Sequence, residues 1–216
     1  MISEAADWDE LVWRDRAFRL PRNQKEGKLT LEEKNKTKNM VWEVVSTILY
    51  LVFVVCVTFL FIKYVAQRTV VDGSSMVPTL QNNDNLIVDK ITYRFKDPQR
   101  FDIIVFPFAY TPNTYFIKRI IGLPGETIQI DEDGNIYING EILEEHYGRE
   151  VIAANKIGRA KDPITLGEDE YFVMGDNRND SSDSRTAAVG NISRDQIIGR
   201  AWVRVWPFSE FKVLKK

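Results

Sequence analysis

Thr127-Ile128-Gln129-Ile130-Asp131-Glu132-Asp133-Gly134-Asn135-Ile136-Tyr137-Ile138-Asn139-Gly140-Glu141-Ile142-Leu143 is a series of short aliphatic runs broken by Asp-Gly and Asn-Gly. Runs of this length, rich in β-branched residues, fit strands. Asp-Gly and Asn-Gly tolerate the left-handed backbone that type I′ hairpin turns require. Successive hairpins give antiparallel pairing. Working outward, 86–91, 102–106 and 115–121 carry the same texture upstream, and 170–174 and 201–206 carry it downstream. The expected class is all-β, mainly antiparallel, across residues 67–216. Residues 144–168 show no clear period and read as a surface excursion.

Upstream of the strands the texture is different. Val44 to Ile62 reads VVSTILYLVFVVCVTFLFI, without one charge. As a helix these residues extend roughly 28 Å, close to a hydrocarbon thickness of about 30 Å. A soluble core helix would not stay apolar on every side for this length, and a cleavable leader would start earlier and be shorter. One transmembrane helix is therefore expected over 41–66. Lys25, Lys28, Lys34, Lys36 and Lys38 precede it, against Lys63 and Arg68 after it. Basic flanks stay cytoplasmic, so the N-terminus is expected inside and the β domain outside. Residues 1–40 read as a mostly flexible cytoplasmic tail. Trp8, Leu11 and Val12 fit a short membrane-lying face within it, a weaker reading than a solvated tail.

Composition removes several function classes. A net charge of -2 offers no basic excess for nucleic acid. Cys56 is the single cysteine and His146 the single histidine, so neither an internal disulfide nor a zinc-ligand cluster is expected. No metal or cofactor is expected. A Ser-His-Asp relay would have only His146 as its base.

Three constellations carry chemistry. Gly73-Ser74-Ser75-Met76-Val77-Pro78 is a loop just after the apolar segment, where an activated Ser75 could meet a membrane-bound substrate. On the 115–121 strand, Phe116, Lys118 and Ile120 share one face, and Ile117 and Arg119 the other. An amine among apolar neighbours loses its proton more easily, because burial disfavours the ammonium. Lys118 is then a candidate general base; the competing reading is a lysine snorkelling off an edge strand. Gly175 through Arg185 alternates Asp and Asn without the EF-hand spacing, and its hydroxyls and arginines look more like a scaffold that orients a buried amine.

Taken in order, Ser75-Met76-Val77-Pro78-Thr79-Leu80, the strand 100–106, Tyr115 through Glu126, and Gly175-Asp176-Asn177-Arg178 with Ser181, Asp183, Ser184 and Arg185 resemble the sequence boxes of bacterial type I signal peptidases, of the one-span Gram-positive-like type. The resemblance covers essentially residues 44–206. It implies a Ser/Lys endopeptidase that removes signal peptides from exported preproteins after Ala-x-Ala sites, at the outer face of the cell membrane and near the export translocase.

The resemblance also implies roles. Ser75 would attack the scissile carbonyl, Lys118 would act as its base, and Ser181 would hydrogen-bond and orient Lys118. Asp183 with Arg185, and Asp176 with Arg119, would form structural ion pairs. Substrate would lie as an added strand beside about 69–74 and 113–118, with Met76, Tyr115 and Phe116 among its contacts. Gly73 stands where two-span relatives carry a serine of the oxyanion hole. Asn179-Asp180 reverses the commoner order, and the loop from Arg185 to Gly199 is slightly longer than usual. The reticulum branch of the family uses histidine in place of the lysine, and His146 lies outside that box. Two other readings fit fewer residues: a noncatalytic membrane-anchored β domain that binds exported chains, and a self-cleaving Ser/Lys repressor, which would need a DNA-binding domain where this chain has its apolar segment.

Overall fold

A computed structural model describes residues 22–214. The Trp8, Leu11 and Val12 face lies outside the described residues. Among the described residues one α-helix, α1, runs from Arg22 to Tyr64, and within it Glu33–Tyr64 is long and apolar enough to cross a membrane. It starts earlier than the 41–66 expected from the sequence, taking in residues 22–40, which had been read as flexible. Lys, Glu, Gln and Leu, which fill much of this run, are good helix formers.

The chain divides into two compact units, one ending at Thr58 and one beginning at Phe59. The second is built of twelve short strands: β1 (Ala66–Val70), β2 (Asn85–Asp89), β3 (Ile103–Pro107), β4 (Tyr115–Gly122), β5 (Thr127–Ile130), β6 (Ile136–Ile138), β7 (Glu141–Ile142), β8 (Ile164–Thr165), β9 (Glu170–Met174), β10 (Ile192–Ser193), β11 (Gly199–Trp206) and β12 (Lys212–Val213). The larger sheet has the order β1-β2-β11-β3-β4-β9-β10, with β12 on β11, and the smaller has β7-β6-β5-β8. Every pairing is antiparallel, as the hairpin spacing predicts.

The two hairpin turns differ. Asn139 and Gly140 both have positive φ (53° and 87°), which suits type I′. At Asp133-Gly134 only the glycine does, with φ 84°. The Asp131 carboxylate accepts the amides of Asp133 and Asn135 at 3.0 and 2.8 Å, closing a wider loop than the expected two-residue turn.

Strand β4 carries the site because both of its faces are covered. Ile120 packs with Ile104, Phe106 and Val173, whereas Ile121 packs with Ile128, Phe172 and Met174. A third cluster of Met76, Leu80, Leu86, Ile103 and Ala201 lies under the Ser75 loop, and Ile117 packs against it. The 144–168 segment is no mere surface excursion. Ile152, Ile157, Ala160 and Leu166 are buried in the Ile121 cluster, in a segment that also contains two 3-10 turns and β8. Their spacing follows neither the helix nor the strand period, so no pattern announces them.

Candidate active site

Ser75 stands in the loop between β1 and β2, and Lys118 in the middle of β4, opposite Ile104 of β3. The Lys118 Nζ donates to the Ser75 Oγ at 2.7 Å across 43 residues of sequence. Lys118 is only 4% exposed. Its ammonium lies 5.0 Å from the Phe116 ring, as their shared strand face predicts. Burial lowers the pKa of Lys118 to about 8; the Asp183 and Asp176 charges oppose this and Arg185 reinforces it. The neutral amine is therefore accessible near neutrality. The alternative of a lysine snorkelling into water does not describe a residue this buried.

Around that pair the scaffold is built from two buried ion pairs. Arg119 meets Asp176 through Nε at 2.8 Å and Nη2 at 2.7 Å, and also donates to the Phe101 carbonyl at 2.9 Å. The Tyr147 ring covers its guanidinium at 3.7 Å. Arg185 meets Asp183 in the same forked way, both bonds at 2.8 Å, and its Nη2 continues to the Arg178 carbonyl at 2.6 Å. Two-pronged geometry of this kind fixes orientation as well as charge. Burial raises the Asp183 pKa, but the Arg185 bonds and charge and the Gly175 amide overcome it, holding the carboxyl below its ordinary value.

Ser181 departs from expectation. Its Oγ is buried and has no hydrogen-bond partner among the described residues, and Ser75 is the one acceptor that Lys118 meets. The hydroxyl acts on the Asp183 carboxylate, which it helps to hold below its ordinary pKa, and not on Lys118. Its environment comes from Gly175. A Cβ on that glycine would stand 2.3 Å from Ser181 Oγ and 2.4 Å from the Ser75 carbonyl oxygen. Only a residue without a side chain lets both approach β9 so closely.

A cleft of about 280 Å³ opens over Ser75 and Lys118. Its two walls are Thr69 to Met76 and Tyr115 to Lys118, the segments implied for substrate. Strand β1 is the end strand of the larger sheet, and the 115–118 part of β4 pairs only with β3, because β9 begins its pairing at Arg119. Both walls thus keep one backbone edge open to an added strand. Met76, Tyr115 and Phe116 all line the cleft; Met76 is buried beneath it and Tyr115 exposed at its rim. Among the described residues no cluster of His, Cys, Asp and Glu could hold a metal ion.

The model of the family described as signal peptidase, peptidase S26, matches residues 42–206. The chain belongs to this family. It is 44% identical to a probable signal peptidase I-2 of a Synechocystis species over 67% of this chain and 65% of that protein. It is 45% identical to a signal peptidase I of Leptolyngbya laminosa over 67% of this chain and 70% of that one. A signal peptidase I of Bacillus amyloliquefaciens is 36% identical over 85% of this chain and 98% of that protein. Membership in a peptidase family accords with a buried amine on a loop serine.

Several residues that the sequence motif contains, but to which it assigned no role, hold the site together. Asn177 donates its backbone amide to the Ser75 carbonyl at 3.0 Å and its side-chain amide to the Ser74 carbonyl at 3.2 Å. The Asn179-Asp180 pair divides its work. Asn179 bonds the backbone of Val151 and Ala153, and Asp180 accepts from the Ser74 hydroxyl at 2.8 Å. Arg178, 2% exposed, links the Gly175 carbonyl to Glu145. The signal in the sequence was the polar run itself, which begins with a glycine directly after a core strand.

Proposed function

We propose that the chain is a membrane-anchored signal peptidase that cleaves exported preproteins after small residues through an acyl-enzyme on Ser75, with Lys118 as general base. The observation that carries this reading is the 2.7 Å contact between a buried amine and a loop hydroxyl on the floor of a strand-edged cleft. Neutral Lys118 takes the Ser75 proton as Oγ attacks the scissile carbonyl, and the resulting ammonium gives that proton to the leaving amine. A water then enters, gives its proton to Lys118 and opens the ester, and Ser75 is regenerated.

The Ser75 backbone amide meets no acceptor among the described residues. It is a natural first donor to the oxyanion, which fits Gly73 standing where a serine hydroxyl would serve in two-span relatives. The scaffold of Asp183 with Arg185 and Asp176 with Arg119 positions Lys118, and Ser181 serves it during turnover. The apolar helix anchors the enzyme in the lipid bilayer of a bacterial cell, with the N-terminus cytoplasmic and the catalytic domain on the outer side near the export machinery. The lysines in the first half of α1, ahead of its uncharged stretch, support that orientation.

The test is direct. Purified full-length protein, mixed with a preprotein whose leader ends in Ala-x-Ala, is expected to cleave it once after the final Ala. Ser75→Ala and Lys118→Ala are expected to abolish cleavage. Equal processing by wild type and Lys118→Ala would sink the mechanism, and binding without cleavage by the wild type would favour the noncatalytic reading.

A further inference from the structure

A second hollow, of about 170 Å³, continues the wall of the cleft beyond Tyr115. Thr69, Val105 and Tyr115 border both spaces, so an extended chain lying in the first would run into the second. There the lining changes. Val88 and Ile198 form an apolar base, and Gln67 and Lys90 bring polar groups to it. Gln67 stands on the end strand β1 opposite Val88, and Lys90 follows β2 with its amide tied to the Val65 carbonyl at 2.9 Å. The Lys90 side chain is half-buried and enters no ion pair among the described residues. Across the sheet the nearby Asp89 carboxylate is already engaged by the Thr92 hydroxyl and the amides of Ile91 and Thr92.

We propose that this hollow is a binding subsite for substrate residues well upstream of the cut, and that Lys90 gives it a preference for an acidic side chain. The inference rests on the peptidase reading above. Chain connectivity supplies the direction: β1 begins at Ala66, two residues after the apolar helix ends at Tyr64. A signal peptide's own apolar segment precedes its cleavage site, so its upstream side belongs at the Gln67 end of the cleft. At about 3.3 Å per extended residue, the subsite falls roughly four to eight residues before the scissile bond. An unpaired, partly desolvated ammonium there attracts a carboxylate and repels a basic side chain.

The experiment uses the full-length enzyme and peptides identical except for Asp, Asn or Lys placed singly at the fourth to eighth positions before the cut. At one of these positions the wild type is expected to favour Asp over Lys in kcat/KM by roughly three- to tenfold at low ionic strength, shrinking as salt screens the pair. Lys90→Glu is expected to invert that ratio at the same position. If the Asp-to-Lys ratio is the same in wild type and Lys90→Glu at every position, or if charge discrimination appears only after the cut, the subsite is wrong while the peptidase reading stands. If the wild type cleaves none of the peptides, both fall together.

Discussion

The backbone amide of Asn177 donates to the carbonyl oxygen of Ser75 at 3.0 Å, so the serine proposed as nucleophile is held by the loop that follows β9. That hold depends on Gly175, where a Cβ would stand 2.4 Å from the same carbonyl. Gly175→Ala is therefore expected to push Ser75 away from Lys118. Misplacement of a reacting atom by about an ångström costs on the order of a hundredfold in rate, so kcat should fall by about that factor. The overpacked contact should also cost about 1–3 kcal/mol of stability. Steady-state kinetics beside a denaturant titration would test this; wild-type kcat would mean that the loop adapts without disturbing the serine.

Lys118 makes activity and stability depend on pH in linked ways. With its pKa lowered to about 8, the neutral amine that the proposed mechanism requires is lost below that point. The rate should fall about tenfold per pH unit on the acid side and level off above pH 8. The unfolded chain keeps the proton up to the ordinary 10.5, so between these values it binds more protons than the fold does. Stability therefore rises with pH across that window, and the burial penalty is fully present below it. Lys118→Met should be inactive yet more stable at pH 7, by on the order of 3 kcal/mol at about 1.4 kcal/mol per unit. That gain should vanish above pH 10.5, and denaturant midpoints at pH 7 and 10.5 would reveal it.

Residues with a local signal were legible in the sequence. Alternation and turn residues marked nearly every strand from β2 to β11 within a residue or two, and the uncharged run from Val44 to Ile62 marked the apolar helix. The helix start was missed because a polar run of good helix formers looks like a solvated tail. The burial of Ile152, Ile157, Ala160 and Leu166 was not legible because three of them lie in irregular backbone and one in a short 3-10 turn, which impose no repeating pattern on apolar positions. Ser75 and Lys118 were nameable as nucleophile and base, whereas their contact joins residues 43 apart and is written in no local pattern. Gly175 could be placed in its motif; the close approach that requires it could be seen only in three dimensions.

The Asp183 and Arg185 pair couples that scaffold to the chemistry. Asp183 accepts four hydrogen bonds, from the Gly175 amide and from the Arg185 amide, Nε and Nη2. Replacing it with Asn leaves Arg185 as a buried, uncompensated cation, which costs about 3–5 kcal/mol. The same change removes a negative charge that raises the Lys118 pKa and leaves a positive one that lowers it. Asp183→Asn should thus lower the melting temperature and move the acid limb of the rate profile below pH 8. A limb that stays in place or moves to higher pH would show that the pair serves folding alone.

Ser181 separates stability from catalysis. Its buried hydroxyl is unpartnered while Lys118 is bonded to Ser75, and an unsatisfied buried group costs about 1–3 kcal/mol. Ser181→Ala removes that group with little loss of packing, and because the hydroxyl also favours the Asp183 carboxylate, stability should change by no more than about 1 kcal/mol. During turnover the situation changes. In the proposed mechanism Lys118 takes the Ser75 proton and becomes a three-donor ammonium in a buried site, and a neighbouring hydroxyl can then accept one of those donors. The hydroxyl's benefit then falls on the charged form reached in the reaction, which lowers the barrier without stabilising the resting enzyme. Ser181→Ala is expected to lower kcat on the order of tenfold or more while KM changes little. Kinetics paired with thermal melts would decide it, and an unchanged kcat would remove Ser181 from any role in orienting the lysine.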